Sequence, residues 1–205
     1  MTRPLITLFL FHAVIGCGAV FAQDDIADVR DKTFRLEADR KLRYKLIGAA
    51  EPGEHPADGY KTLVVLPGGD GGADFTPFIK RVFKHSLTDD YLVIQLIAPR
   101  WNSKQEIVWP TKKSPTRGMK IPTEEFLKLA VQDVASRATL DRTRVFTLAW
   151  SSGGPAAYAA SMSEDTPVTG TLAAMSVFDF KDLDLDRAKG QAYYLLHSEQ
   201  DQVCP

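Results

Sequence analysis

Disulfide chemistry, a basic surface and low-complexity sequence are all scarce in this chain. Its 205 residues include only two cysteines, Cys17 and Cys204, so no disulfide framework holds the fold and a hydrophobic core must do so. Lys and Arg number 25 against 26 Asp and Glu, a formal net charge of −1, which leaves no electrostatic footprint for nucleic acid. Gly and Pro are present in ordinary amounts, and a hydrophobic fraction of 44% is too high for a disordered chain. Histidine is scarce as well, with four residues, His12, His55, His85 and His197. A chain of this length can bury about 70% of its unfolded surface, so one compact domain is expected.

The first residues read as an address. Met1 to Ala22 holds one basic residue, Arg3, then a long apolar run, then small residues at Val20 and Ala22, followed at once by Gln23-Asp24-Asp25. That order is the pattern of a secretory signal peptide. The division expected is therefore 1–22 as signal and 23–205 as the domain, exported to the periplasm or beyond. The run is marginal in length for a membrane span and lacks a basic stop-transfer flank, so no stable span is expected. Val14-Ile15-Gly16-Cys17 offers a second route, a bacterial lipobox with Cys17 acylated, although the apolar residues continuing to Ala22 favour ordinary cleavage. After that cleavage Cys204 stands alone and has no internal partner.

Beyond the leader, strand and helix patterns alternate. Thr33–Glu37 and Lys41–Ile47 read as an antiparallel hairpin at a sheet edge, and Thr62–Leu66 and Leu92–Ala98 as buried strands. Thr76-Pro77 opens a helix with Thr76 as its N-cap and Phe78, Ile79, Val82 and Phe83 on its core face. A long loop from Pro99 to Pro122 carries Trp101, Trp109 and the basic residues Lys112, Lys113, Arg117 and Lys120. Anchoring of the two tryptophans to the core and solvation of the lysines and arginine are the expected roles, with an acyl or aryl pocket as the other use of the tryptophans. Thr123 starts a helix with Leu127, Val131, Val134 and Ala138 inward. Strand Arg144–Trp150, helix Ser152–Ser163, strand Val168–Val177 and strand Ala192–His197 follow. This spacing argues for an α/β fold with a mainly parallel sheet and helices on both faces.

Three segments carry chemistry. In Phe146-Thr147-Leu148-Ala149-Trp150-Ser151-Ser152-Gly153-Gly154, a strand runs into one serine flanked by small residues and then into a helix, the pattern A-x-S-x-G of a nucleophile elbow. Ser151 is the candidate nucleophile, and Ser152 would offer its backbone N–H to an oxyanion. Leu66-Pro67-Gly68-Gly69-Asp70-Gly71-Gly72 closes a buried strand with a loop whose N–H groups can face developing negative charge without side-chain interference. Gly69 is the preferred donor and Asp70 its neighbouring alternative. A phosphate loop is disfavoured because the Gly-Lys-Ser/Thr ending is absent. The third segment is His197-Ser198-Glu199-Gln200-Asp201-Gln202-Val203-Cys204-Pro205. A metal held by His197 and Asp201 lacks a third ligand at sensible spacing, and no cofactor is implied.

Together, the glycine loop, the elbow and the H-x-x-x-D-x-x-x-P segment resemble the α/β-hydrolase superfamily, most closely its phospholipase/carboxylesterase and related exported-esterase branches, from Leu63 to Pro205. Leu140-Asp141-Arg142-Thr143-Arg144-Val145 is similar to that family's I-D-x-x-R-V. The resemblance implies Asp201 as the acid of a catalytic triad, with Asp179 as a rival. Ser198 and Cys204 depart from the family's H-G-x-x-D-x-x-V-P. It also implies a histidine base after the acid, and none follows here: His12 leaves with the leader, His55 precedes the sheet core, His85 ends the first helix, and His197 holds a position that is not the family's base. The expectation is a C-terminally incomplete domain lacking a final strand, the histidine loop and the last helix. Two classes of function stay open. One is a serine hydrolase that cleaves small-molecule or lipid-like carboxylic esters through an acyl-enzyme on Ser151. Within that class the sequence does not separate a small-ester hydrolase from a peptidase or a polyester depolymerase. The other is an inactive binding module on the same fold.

Overall fold

A computed structural model describes residues 24–48 and 56–202; the leader, His55, Cys204 and Pro205 lie outside the described residues. Seven strands form one sheet in the order β1-β2-β4-β3-β5-β6-β7. They are β1 (Asp31–Arg35), β2 (Arg43–Ile47), β3 (Tyr60–Leu66), β4 (Tyr91–Ile97), β5 (Leu140–Trp150), β6 (Gly170–Ala174) and β7 (Ala192–Leu196). The hairpin β1/β2 is antiparallel and occupies one edge, and β2 meets β4 antiparallel. From β4 across β3, β5 and β6 to β7 every pairing is parallel. The chain therefore has the expected α/β architecture, with an antiparallel pair on a parallel sheet.

Alternation along the central strands splits the core into two layers. Leu63 and Val65 of β3 join Val93, Ile47 and Ile79 on one face, under helix α1 (Thr76–Ser86). Val64 and Leu66 point the other way, to Phe126, Leu127, Ala130 and Val134 of α2 (Thr123–Ala135) and Ala156, Ala157 and Ala160 of α3 (Gly154–Ser161). Both faces of the central strands are covered, which is why they read as continuous apolar runs.

Several boundaries differ from expectation for local reasons. Thr76 is the first residue of α1 and not its cap: its hydroxyl donates to the Ala73 carbonyl at 2.6 Å, and Phe75 holds the cap position. Phe78 is 49% exposed and not in the core, its ring set edge-on to Trp150 at 5.5 Å. Strand β5 starts at Leu140, four residues early, across a register shift opposite Tyr60–Thr62. There the buried Asp141 carboxylate accepts from the Thr143 hydroxyl at 2.6 Å and the Thr143 N–H at 2.8 Å, and it pairs with Arg144. The Thr143 bonds, with Arg144 beside them, lower the Asp141 pKa from 3.8 to about 2. Strand β6 stops at Ala174 because Met175 takes a left-handed φ of +47°.

Candidate active site

Register gathers the three sequence segments at one end of the sheet. Leu66 of β3 lies opposite Ala149 of β5, so the glycine loop starting at Pro67 and the turn starting at Ser151 emerge side by side. Trp150 is level with Ala174 of β6, which is level with Leu196 of β7. The loops carrying Asp179 and Asp201 therefore leave from the same edge. Helix α1 runs back from this edge toward the start of β4, which puts His85 at the opposite end, 3.6 Å from Asp25. His197 follows β7 directly and is exposed.

Ser151 sits at a φ of +49°, in the left-handed region that a residue with a side chain adopts at a cost of about 1–3 kcal/mol. Its neighbours hold it there. Gly153 passes so close under β3 that a Cβ on it would stand 2.2 Å from the Leu66 carbonyl oxygen. Ala149, where the family pattern more often has glycine, is fully buried, its methyl group absorbed into the core against α3. The chain then makes one 3-10 turn over Ser151–Gly153 before α3 begins at Gly154, so the helix expected from Ser152 starts two residues later.

Two side-chain bonds brace the turn. The Ser152 hydroxyl donates to the Gly69 carbonyl at 2.9 Å, tying the elbow to the glycine loop. The Ser176 hydroxyl, just past β6, donates to the Ser151 carbonyl at 2.8 Å. Gly154 leaves room for it, since a Cβ there would fall 1.8 Å from Ser176 Oγ. Gly69 itself has a φ of +60°. Because a trans peptide points its N–H opposite to its C=O, the Asp70 N–H of the peptide bonded to Ser152 is turned away from that residue. The Asp70 carboxylate accepts from the Gly72 N–H at 2.8 Å and shapes the loop.

The long loop is anchored by its tryptophans, as expected. Trp101 and Trp109 are buried, and the Trp109 indole N–H donates to the Pro67 carbonyl at 2.9 Å, which fixes the loop beside the glycine segment. Lys112, Lys113, Arg117 and Lys120 are exposed. Beside Ser152 a cavity of about 360 Å³ opens between this loop and the one after β6. A larger cavity of about 610 Å³ lies on the α1 side along β5, β6 and β7, and none of Ser151, Gly69 or Asp201 lines it. Asp179 lines the smaller cavity and accepts from the Lys181 N–H at 3.0 Å. Among the described residues no group of three His, Cys, Asp or Glu could hold a metal, and no helix is long and apolar enough to cross a membrane.

Sequence reading missed Ser176 and the aromatic group in which Phe75 and Phe78 meet Trp150 edge-on at 4.9 and 5.5 Å. The second glycine of Ser152-Gly153-Gly154 was the available signal for a close neighbour, but nothing in the sequence said which one.

No protein-family model and no curated protein matches the sequence. Solved structures do match its fold. A thermostable esterase superposes with a TM-score of 0.64 at 19% identity, over 88% of this chain and 49% of its own. Dipeptidyl peptidase 4 of Porphyromonas gingivalis superposes with a TM-score of 0.56 at 12% identity, over 86% of this chain and 28% of its own. The chain has the α/β-hydrolase fold, and it spans about half the length of the esterase it matches. An esterase and a peptidase share this architecture, so the choice of chemistry rests on the site.

Proposed function

We propose that the chain belongs to a serine hydrolase that cleaves carboxylic esters through an acyl-enzyme on Ser151. The observation that carries this reading is the left-handed Ser151 at the β5–α3 turn, braced against the glycine loop by the Ser152–Gly69 bond. Strain is kept at a position where the surroundings over-determine it, as expected of a nucleophile that must stand clear of the sheet.

In the proposed reaction Ser151 Oγ bonds to the ester carbonyl carbon, and the bond to the alcohol oxygen breaks. The alcohol leaves with the proton that a base took from Ser151. Water then splits the acyl-serine to the free acid and restores the hydroxyl. The N–H groups of Gly69 and Ser152 stabilise the oxyanion, Gly69 being preferred over Asp70 because the Asp70 N–H is turned away from Ser152. Asp201 is the acid, and the resemblance puts the base on a histidine that follows it. The leader-like segment 1–22 makes the enzyme an exported one, and small-molecule or lipid-like esters are the substrate class.

Labelling of the full gene product by a fluorophosphonate probe tests the reading. Ser151 is expected to be labelled, and Ser151→Ala to lose labelling and ester turnover by a factor on the order of 10⁵–10⁶. Undiminished labelling in that variant would remove Ser151 as nucleophile.

A further inference from the structure

The cavity beside Ser152 has fixed walls. Trp109 stands on one side, locked by its bond to the Pro67 carbonyl, and Phe178 stands on the loop after β6, its ring 4.6 Å from that of Tyr158. Pro155 and Ala159, one turn apart on α3, also line it. At about 360 Å³ it is roughly twice the size of an apolar cavity of about 150 Å³ that accepts benzene. One ring with a short linker fits that space, whereas a long alkyl chain has to continue out of it. Asp179 is the one carboxylate among the lining residues, and it repels a free acid and accepts from a hydroxyl or amine.

We propose that this cavity receives the acyl group of the ester attacked by Ser151, and that this group is a single aromatic ring on a short linker carrying a hydrogen-bond donor toward Asp179. The assignment rests on the serine-hydrolase reading, because the acyl group is the part of the substrate that stays bonded to Ser151, next to Ser152 in the cavity wall. Lipid-like esters then become poor substrates. Ala159, small and part of the lining, sets the space available to the ring.

Two measurements test this on the full gene product. In the first, methyl 3-(4-hydroxyphenyl)propanoate, methyl butanoate and methyl palmitate are compared by kcat/KM. The aryl ester is expected to lead the others at least tenfold, and Ala159→Phe to lower the aryl-to-butanoate ratio tenfold or more. Asp179→Asn is expected to lower turnover of the hydroxyaryl ester relative to its methoxyaryl analogue about fivefold. The second needs no catalysis: in Ser151→Ala, the hydroxyaryl ester is expected to quench tryptophan fluorescence saturably, with at least a tenfold weaker Kd once Ala159→Phe is added. Preference for palmitate, or a Kd that Ala159→Phe leaves unchanged, overturns the assignment. Loss of all ester turnover in Asp179→Asn does so too, since Asp179 would then be the acid. Failure of the underlying reading looks different: Ser151 would not be labelled by the fluorophosphonate, whatever the aryl ester does.

Discussion

Where β5 runs into α3, the positions that pass closest to other segments, Gly153 under Leu66 and Gly154 under Ser176, are glycines and are buried. Two strands away, β7 carries the Asp201 loop with Tyr194, Leu195 and Leu196 exposed by 66%, 62% and 53%. Ser151, the proposed nucleophile, is itself exposed, and it is held from below by the buried Gly153 and Gly154. The proposed acid follows a strand that is held by its ladder to β6 and by Tyr193, whose hydroxyl is 2.9 Å from the Ser161 hydroxyl and whose ring stacks on Tyr158 of α3. The last three residues of that strand are open to solvent. One thread joins the two regions. The left-handed turn at Met175 sends its N–H to the Leu196 carbonyl at 2.7 Å, while the next residue, Ser176, reaches the Ser151 carbonyl. The contrast teaches that the turn at Ser151 is held by close contacts and resists change, whereas the proposed acid is placed at a distance through β6 and α3.

That contrast can be broken at graded points. Asp201→Asn strikes the acid arm directly, and a fall in ester kcat on the order of 10⁴-fold is expected if Asp201 orients the base. A loss under tenfold would transfer the role elsewhere. Gly153→Ala strikes the elbow, where the added Cβ meets the Leu66 carbonyl. A loss of about 1–3 kcal/mol is expected from overpacking, read as a Tm lowered by about 2–4 °C per kcal/mol. An unshifted Tm would show that α3 can move away from β3.

Ser176→Ala cuts the thread between the regions. A neutral hydrogen bond is worth about 1 kcal/mol net, so kcat and the fluorophosphonate rate should fall about fivefold with KM unchanged, and Ser176→Thr should restore part of the loss. A rise in KM alone would show that the bond serves binding and not the orientation of Ser151.

The smallest effect is expected at the far end of β5, away from both arms. Asp141 has a depressed pKa in the folded state, about 2 against 3.8, so its stabilisation is fully present above the higher value and is lost as pH falls through the lower one. The Tm difference between the native chain and Asp141→Asn should be constant above about pH 5 and shrink toward pH 2. A difference independent of pH across that window would mean that the carboxylate's charge contributes nothing there.

Much of this was legible in the chain itself. The apolar runs at Thr62–Leu66 and Leu92–Ala98 located the central strands because strands covered on both faces need no polar alternation. The elbow was legible because its chemistry demands consecutive small residues around one serine. Strand β5 was read short because Asp141 disfavours strands by propensity, whereas the pairing of Leu140 with Tyr60 that extends the strand is made only in the fold. Phe78 was placed in the core by helical periodicity, yet the tertiary arrangement gave its position on α1 to an aromatic contact with Trp150 at the surface.

The sequence by itself determined the alternation of strands and helices, the glycine loop, and the turn that places Ser151 between β5 and α3, because each depends on residues adjacent along the chain. Only the tertiary structure decided that Ser152 grips Gly69, that Ser176 braces Ser151, and that Trp109 and Phe178 face one cavity with Asp179. Those contacts join positions 25 to 83 residues apart, and the register of parallel strands, which no local pattern encodes, brings them to one edge of the sheet.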